Sequence, residues 1–224
     1  MNIEKKLSWK KIDLMNRLHK LEKTIQDDLK RTPPQNTRTI QKFARWLEQL
    51  QYIFSKIQSI NTQVIPKVEK ALGIKLKDKE QVVIALFQPS TRNLFLETKT
   101  HFYGEDIFST NFFDILSTLS DRAELLALIG DAAISLSVIH YIWPPAEISA
   151  GSLTLQRADI VSNEHMSEIC DKWELYEHRI HFDPGEPSQT EMNHDKGTLL
   201  EAIYGIIYLN YGYDKTRELV KHIL

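Results

Sequence analysis

Cysteine is nearly absent: Cys170 is the single one in 224 residues. No internal disulfide can form, and one sulfur cannot build a thiolate-caged metal site. The lone thiol fits a reducing compartment, the cytoplasm, and reads as a small core residue on a helix. Glycine and proline are scarce, eight of each, so little of the chain can be extended linker. The N-terminus, MNIEKKLSWKK, lacks the apolar run of a secretory leader. No run of about 18 residues is apolar and free of charge. The best candidate, ALIGDAAISLSVIHYIW, holds Asp131 in its first third, so no membrane span is expected. What is present is an ordinary globular mixture, 26% charged and 42% hydrophobic. That excludes a wholly disordered or collagen-like chain.

The charge is unevenly placed. Residues 1–64 hold 13 Lys/Arg against 6 Asp/Glu, a net +7, and residues 65–224 carry −9. A basic segment joined to an acidic body points to a binding or self-association surface, or to a solvated lysine face. The basic segment reads as a helical hairpin. Leu7, Leu14, Leu18, Leu21 and Ile25 share one helical stripe, interrupted by Lys11. RTPPQNTR breaks it, because a helix interior rejects proline. Ile40, Phe43, Leu47, Leu50, Phe54, Ile57 and Val64 form the second stripe, with Thr39 as a candidate N-cap. A short turn between two such helices makes them antiparallel. The expected organisation is a hairpin over 1–64 and a helical domain over 65–224.

In the second part, 67–87 reads as two short helices, closed by Gly73 and opened by Asp78. Residues 122–143 form the most apolar helix, capped by Ser120 or Asp121 and ended by Pro144 and Pro145. Helical spacing resumes over 151–170, with Ser162 or Asn163 capping a new helix. FDPGEPSQTEMNHDKG, residues 182–197, reads as an exposed polar loop, followed by helices at about 198–210 and 214–224. No alternating run marks a strand, so the expected fold is all-α. The four tryptophans are scattered, and most of them read as packing residues. His178 and His181 would share a helix face without zinc spacing.

Three segments resemble the ribonuclease III catalytic domain, in that family's order: LGIKLKDKEQVVIALFQPST (72–91), AELLALIGDAAISL (123–136), and GSLTLQRADIVSNEHMSEI (151–169) followed by LLEAIYGIIYLNYG (199–212). The resemblance implies an all-α ribonuclease III endonuclease-domain-like fold that usually forms a homodimer. It also implies a site in which four carboxylates hold Mg2+ or Mn2+ and cleave double-stranded RNA. Asp131, after Gly130, and Glu201, before Ala202, stand at two ligand positions, and Glu124 at a supporting acidic position. The other two ligand positions are degraded to Ala127 and Thr198, and the histidine of the opening segment is Gln88. Ala127 and Asp131 are four residues apart, Thr198 and Glu201 three, so each helix directs one carboxylate where the family directs two.

This pattern implies a divergent member that binds double-stranded or structured RNA, with weak or lost cleavage. The alternatives are an active metal-dependent endonuclease with a reduced carboxylate set, or a module that docks a protein partner. Glu191, His194 and Asp195 are candidate substitute ligands. The chain stops soon after the last motif helix, so the family's frequent double-stranded-RNA-binding domain is expected to be absent. RNA contacts would then fall to the helical body and the basic hairpin. Candidate phosphate contacts are Lys10, Lys11, Arg38, Lys42 and Arg45, with Lys5, Lys6, Lys20 and Lys23 beside them.

Overall fold

A computed structural model describes residues 7–143, 149–183, 185 and 187–224. The expectations on Lys5, Lys6, Pro144 and Pro145 lie outside these residues. The described residues are helical apart from loops and one parallel bridge between Phe87 and Ile180. The all-α expectation holds.

Helix α1 spans Leu14–Arg31 and α2 spans Thr37–Ser59. His19 stacks on Phe54 with ring centroids 4.7 Å apart, and Gln51 donates to Glu22. These pairings run in opposite directions along the two helices, so the hairpin is antiparallel. Its first turn differs from the periodicity. Residues 7–13 lie outside any helix, and Leu7 is 56% exposed instead of joining the stripe. The Glu80 carboxylate accepts the Ile12 and Leu14 N–H groups at 2.9 and 2.8 Å, which supplies from a distant segment the cap that starts α1 at Leu14. Asn36, not Thr39, stands at the start of α2.

Helix α2 continues through a π turn at Ile60–Val64 into α3, Ile65–Leu72, with Pro66 in its first turn. Gly73 closes α3 at φ +66°, and Asp78 caps α4, Lys79–Ala85, through the Glu80 N–H. Helices α5 (Arg92–His101) and α6 (Phe112–Ser117) lead into α7, Leu119–Ile142. Thr118, not Ser120 or Asp121, precedes α7. Helix α8 is Ala150–Ile160, and α9 is Asn163–Lys172, capped by Ser162, which accepts the His165 N–H. Helix α10 runs from Gln189 to Tyr211 and α11 from Tyr213 to Leu219.

The expected loop over 182–197 is therefore half helix. Ser188 and Glu191 form a complete capping box that opens α10 nine residues before the expected start. Lys196 lies buried on it, tolerated because its ammonium pairs with Asp171 at 2.7 Å. His178 ends a 3-10 turn and His181 lies in extended chain, so they share no helix face.

Hydrophobic residues of both helical segments join one core, with Trp46, Phe43, Phe87, Phe95 and Tyr204 among its largest members. Helix α7 is long and apolar enough to cross a membrane by length and composition alone. One of its faces is instead packed against α10 at backbone distance. A β-carbon on Gly130 would lie 1.8 Å from the Glu201 carbonyl oxygen, and one on Gly205 would lie 2.0 Å from that of Leu126. The opposite face of α7 carries Leu125, Leu128 (65% exposed), Leu136 and Trp143 into solvent. Trp143 is the exposed tryptophan, whereas Trp46 and Trp173 are buried and Trp9 packs against the core, as expected for most of them.

Candidate active site

The reciprocal glycine contact positions the acidic residues. Gly130 brings α7 onto the main chain of Glu201, and Asp131 is the next residue, at the rim of the crossing. Asp131 is exposed and accepts a hydrogen bond from the Ser135 hydroxyl at 3.3 Å. Glu201 is half-buried beside it. Burial, and then the charge of Asp131, push the Glu201 carboxyl up to about 7. Near pH 7 the Glu201 carboxyl is therefore protonated for much of the time, with no neighbouring cation to hold it ionised.

The two positions beside the pair are closed. Ala127 is buried at 5% exposure. The Thr198 hydroxyl donates to the His194 carbonyl of its own helix at 3.1 Å, turned to its backbone. Glu124 is exposed. Among the described residues, no group of three or more His, Cys, Asp or Glu side chains could hold a metal ion. Asp131 and Glu201 alone make a weak cation site: two carboxylates can hold Mg2+ only with waters and substrate phosphates completing its octahedron, and a half-protonated carboxyl is a poor donor.

The substitute ligands do not repair the set. Glu191 is engaged by the Ser188 hydroxyl and N–H, which hold its carboxyl below the ordinary range. Asp195 is half-buried and pushed up by burial, among His194, Arg179 and Asp183. His194 is exposed.

The five basic candidates divide. Lys10 and Lys11 lie exposed on the segment before α1, and Arg38 is exposed in the first turn of α2. Arg45 pairs with Glu97, which also accepts the Trp46 indole N–H at 2.9 Å. The Lys42 ammonium lies 4.9 Å from the Trp46 ring and 3.2 Å from His101 Nδ1. Partners from α5 thus engage two of the five. No local signal in α2 announces this, because the partners arrive from more than fifty residues away.

The sequence profile of the Ribonuclease III domain matches residues 124–212. "Ribonuclease 3" of Natranaerobius thermophilus is 27% identical over 160 residues, covering 70% of this chain and 59% of that protein. "Ribonuclease 3" of Chlamydia trachomatis serovar D is 27% identical over 168 residues, covering 73% of this chain and 63% of that protein. The chain thus spans about three-fifths of the length of these curated relatives. The nuclease domain of ribonuclease III from Campylobacter jejuni aligns with a TM-score of 0.48 and 22% identity, over 71% of this chain and 92% of that one.

Proposed function

The chain belongs to the ribonuclease III domain family, and from that premise we propose that it binds double-stranded or structured RNA and cleaves it weakly or not at all. One observation carries the reading: Asp131 and Glu201 meet at the glycine crossing with a buried Ala127 and a backbone-bonded Thr198 beside them. Phosphodiester hydrolysis needs a nucleophilic water and relief of charge on the phosphate. Two carboxylates, one with its pKa near neutrality, supply neither cation nor a concentrated acidic cage.

A second reading keeps activity. Glu201, pushed up to about 7, lies in the range suited to general acid–base work. An endonuclease using that carboxyl would show Mg2+- or Mn2+-dependent cleavage, with Asp131 needed for it.

The exposed apolar face of α7 supports a homodimer. Leu125, Leu128, Leu136 and Trp143 recur at helical spacing opposite the α10 contact, and α8 buries none of its own residues. A helix apolar on two faces needs a second partner. The single buried thiol, Cys170, suits the reducing cytoplasm as the place of action.

The test is to incubate the protein with a long double-stranded RNA in Mg2+ and then in Mn2+, beside Asp131→Asn. Binding without products supports the principal reading. Defined duplex products that vanish in the variant establish the endonuclease.

A further inference from the structure

The hairpin and the extended chain after α9 meet in a cluster of basic side chains that the acidic pair does not use. Tyr52 and Lys56 stand one turn apart near the end of α2. Residues 177–183 lie against them, with the Phe182 and Tyr52 ring centroids 5.9 Å apart. This segment is held at both sides. The Gln88 N–H donates to the Ile180 carbonyl, and the Phe182 N–H to the Ser90 hydroxyl, both at 2.9 Å. The backbone that carries Arg179 and His181 is therefore held in place.

The Lys56 ammonium donates to the Glu177 carbonyl at 2.6 Å, which leaves two of its protons. The Arg179 guanidinium lies over the Tyr176 ring at 3.7 Å and spends Nη1 on the Tyr176 carbonyl at 3.1 Å. Its other nitrogens have no hydrogen-bond partner among the described residues. His181 Nδ1 is buried and lacks a hydrogen bond, with Asp183 at 3.4 Å outside bonding geometry. Asp183 itself accepts from the Ser90 hydroxyl at 3.1 Å.

Lys56 and His181 both feel the charge of Arg179. Burial, then the charge of Arg179, lower the Lys56 ammonium from its ordinary value. His181 is lowered by the same two causes in the same order. The nearby acids balance this only in part: the Glu177 and Asp183 side chains are exposed, and burial pushes Asp195 toward its neutral form. An anion beside Lys56 and Arg179 would offset the charge that each imposes on its surroundings, and a neutral imidazole can donate to it. A guanidinium stacked on an aromatic ring, with its fork open, suits the oxygens of a phosphate.

We propose that Lys56, Arg179 and His181 form a phosphate-binding position at this junction, and that its occupant is a backbone phosphate of RNA. The RNA occupant rests on the reading that this chain binds RNA. The phosphate position stands on the cluster itself. It gives the hairpin a specific role, because Lys56 reaches the site only if α2 is seated on the body.

The experiment uses the full chain, Lys56→Gln, and Lys56→Gln with Arg179→Gln, each checked by circular dichroism. Affinity for a short RNA duplex is measured across a salt series, and His181 ring resonances are followed by NMR during titration with inorganic phosphate. The plot of log affinity against log salt is expected to flatten by about one unit in the single variant and about two in the double. The His181 resonances are expected to shift with phosphate in the parent and not in the double variant. Unchanged RNA slopes in both variants overturn the RNA occupant. An unmoved His181 in the parent together with unchanged slopes overturns the site. A parent that binds no duplex refutes the RNA reading on its own, and the phosphate titration then decides the site alone.

Discussion

The carbonyl oxygen of Glu201 occupies the space that a side chain on Gly130 would need: a β-carbon there would lie 1.8 Å from it. The same contact sets Asp131 beside the Glu201 carboxyl, so packing and candidate chemistry share one helix crossing. Any substitution that opens the crossing should move both.

Gly130→Ala is expected to destabilise the fold by about 3 kcal/mol or more, at the upper end of overpacking costs, because the clash is with backbone that cannot rotate away. Gly151→Ala is the control. Its β-carbon would meet nothing nearer than the Ser149 hydroxyl at 3.8 Å, and α8 would gain helix propensity. Urea unfolding of both variants checks this, with Gly151→Ala at or above the parent midpoint.

Stability should fall as pH rises from about 4.5 to about 7 because of Glu201. Its folded pKa, about 7, lies above the ordinary 4.5. Below pH 4.5 both folded and unfolded carboxyls are protonated and the group contributes no difference. Between that value and about 7 the unfolded chain ionises first, so ionisation favours unfolding. The loss is roughly 1–2 kcal/mol once solvent screening at this partly exposed group is allowed for. In Glu201→Gln this component of the pH dependence should vanish, as read from unfolding midpoints at pH 4.5 and 8.

Asp171→Ala should cost about 3 kcal/mol, since it strands the Lys196 ammonium at 9% exposure. Glu218→Ala breaks an exposed pair with Lys215 and should stay within about 1 kcal/mol. Thermal denaturation of the two variants side by side measures the contrast.

Restoring both carboxylates, with Ala127→Glu and Thr198→Asp together, is expected to raise Mg2+-dependent cleavage of labelled duplex RNA at least about tenfold, the scale of a group that acts only in the transition state. No gain in a folded double variant would show that the missing ligands do not limit activity.

Leu128→Glu with Leu136→Glu should convert the proposed dimer to monomer without loss of helicity. Both side chains are exposed on the α7 face opposite the glycine crossing with α10. Sedimentation velocity over a range of concentrations reads the change, and a parent that is monomeric throughout would remove the dimer.

Much of this was readable from local signals. Gly73, Asp78 and Ser162 announced their helix ends, because a cap depends on residues within one turn. The capping box at Ser188 and Glu191 was equally local, but it lay within a polar stretch read as loop. Leu7 matched the spacing of a helix it does not join, because Glu80 sets where α1 begins. Lys42 and Arg45 counted as basic surface until Trp46, His101 and Glu97 were placed around them.

The sequence by itself determined the helical content, the family resemblance and the non-acidic residues, Ala127 and Thr198, that stand one helical turn before Asp131 and Glu201. Each of these depends on residue identity and short-range spacing. Tertiary structure alone decided that Gly130 and Gly205 let two backbones touch, that burial pushes the Glu201 carboxyl up to about 7, and that Lys56 reaches the Glu177 carbonyl within range of the Arg179 charge. Steric contact, desolvation and charge repulsion act through space, between residues that the chain keeps far apart.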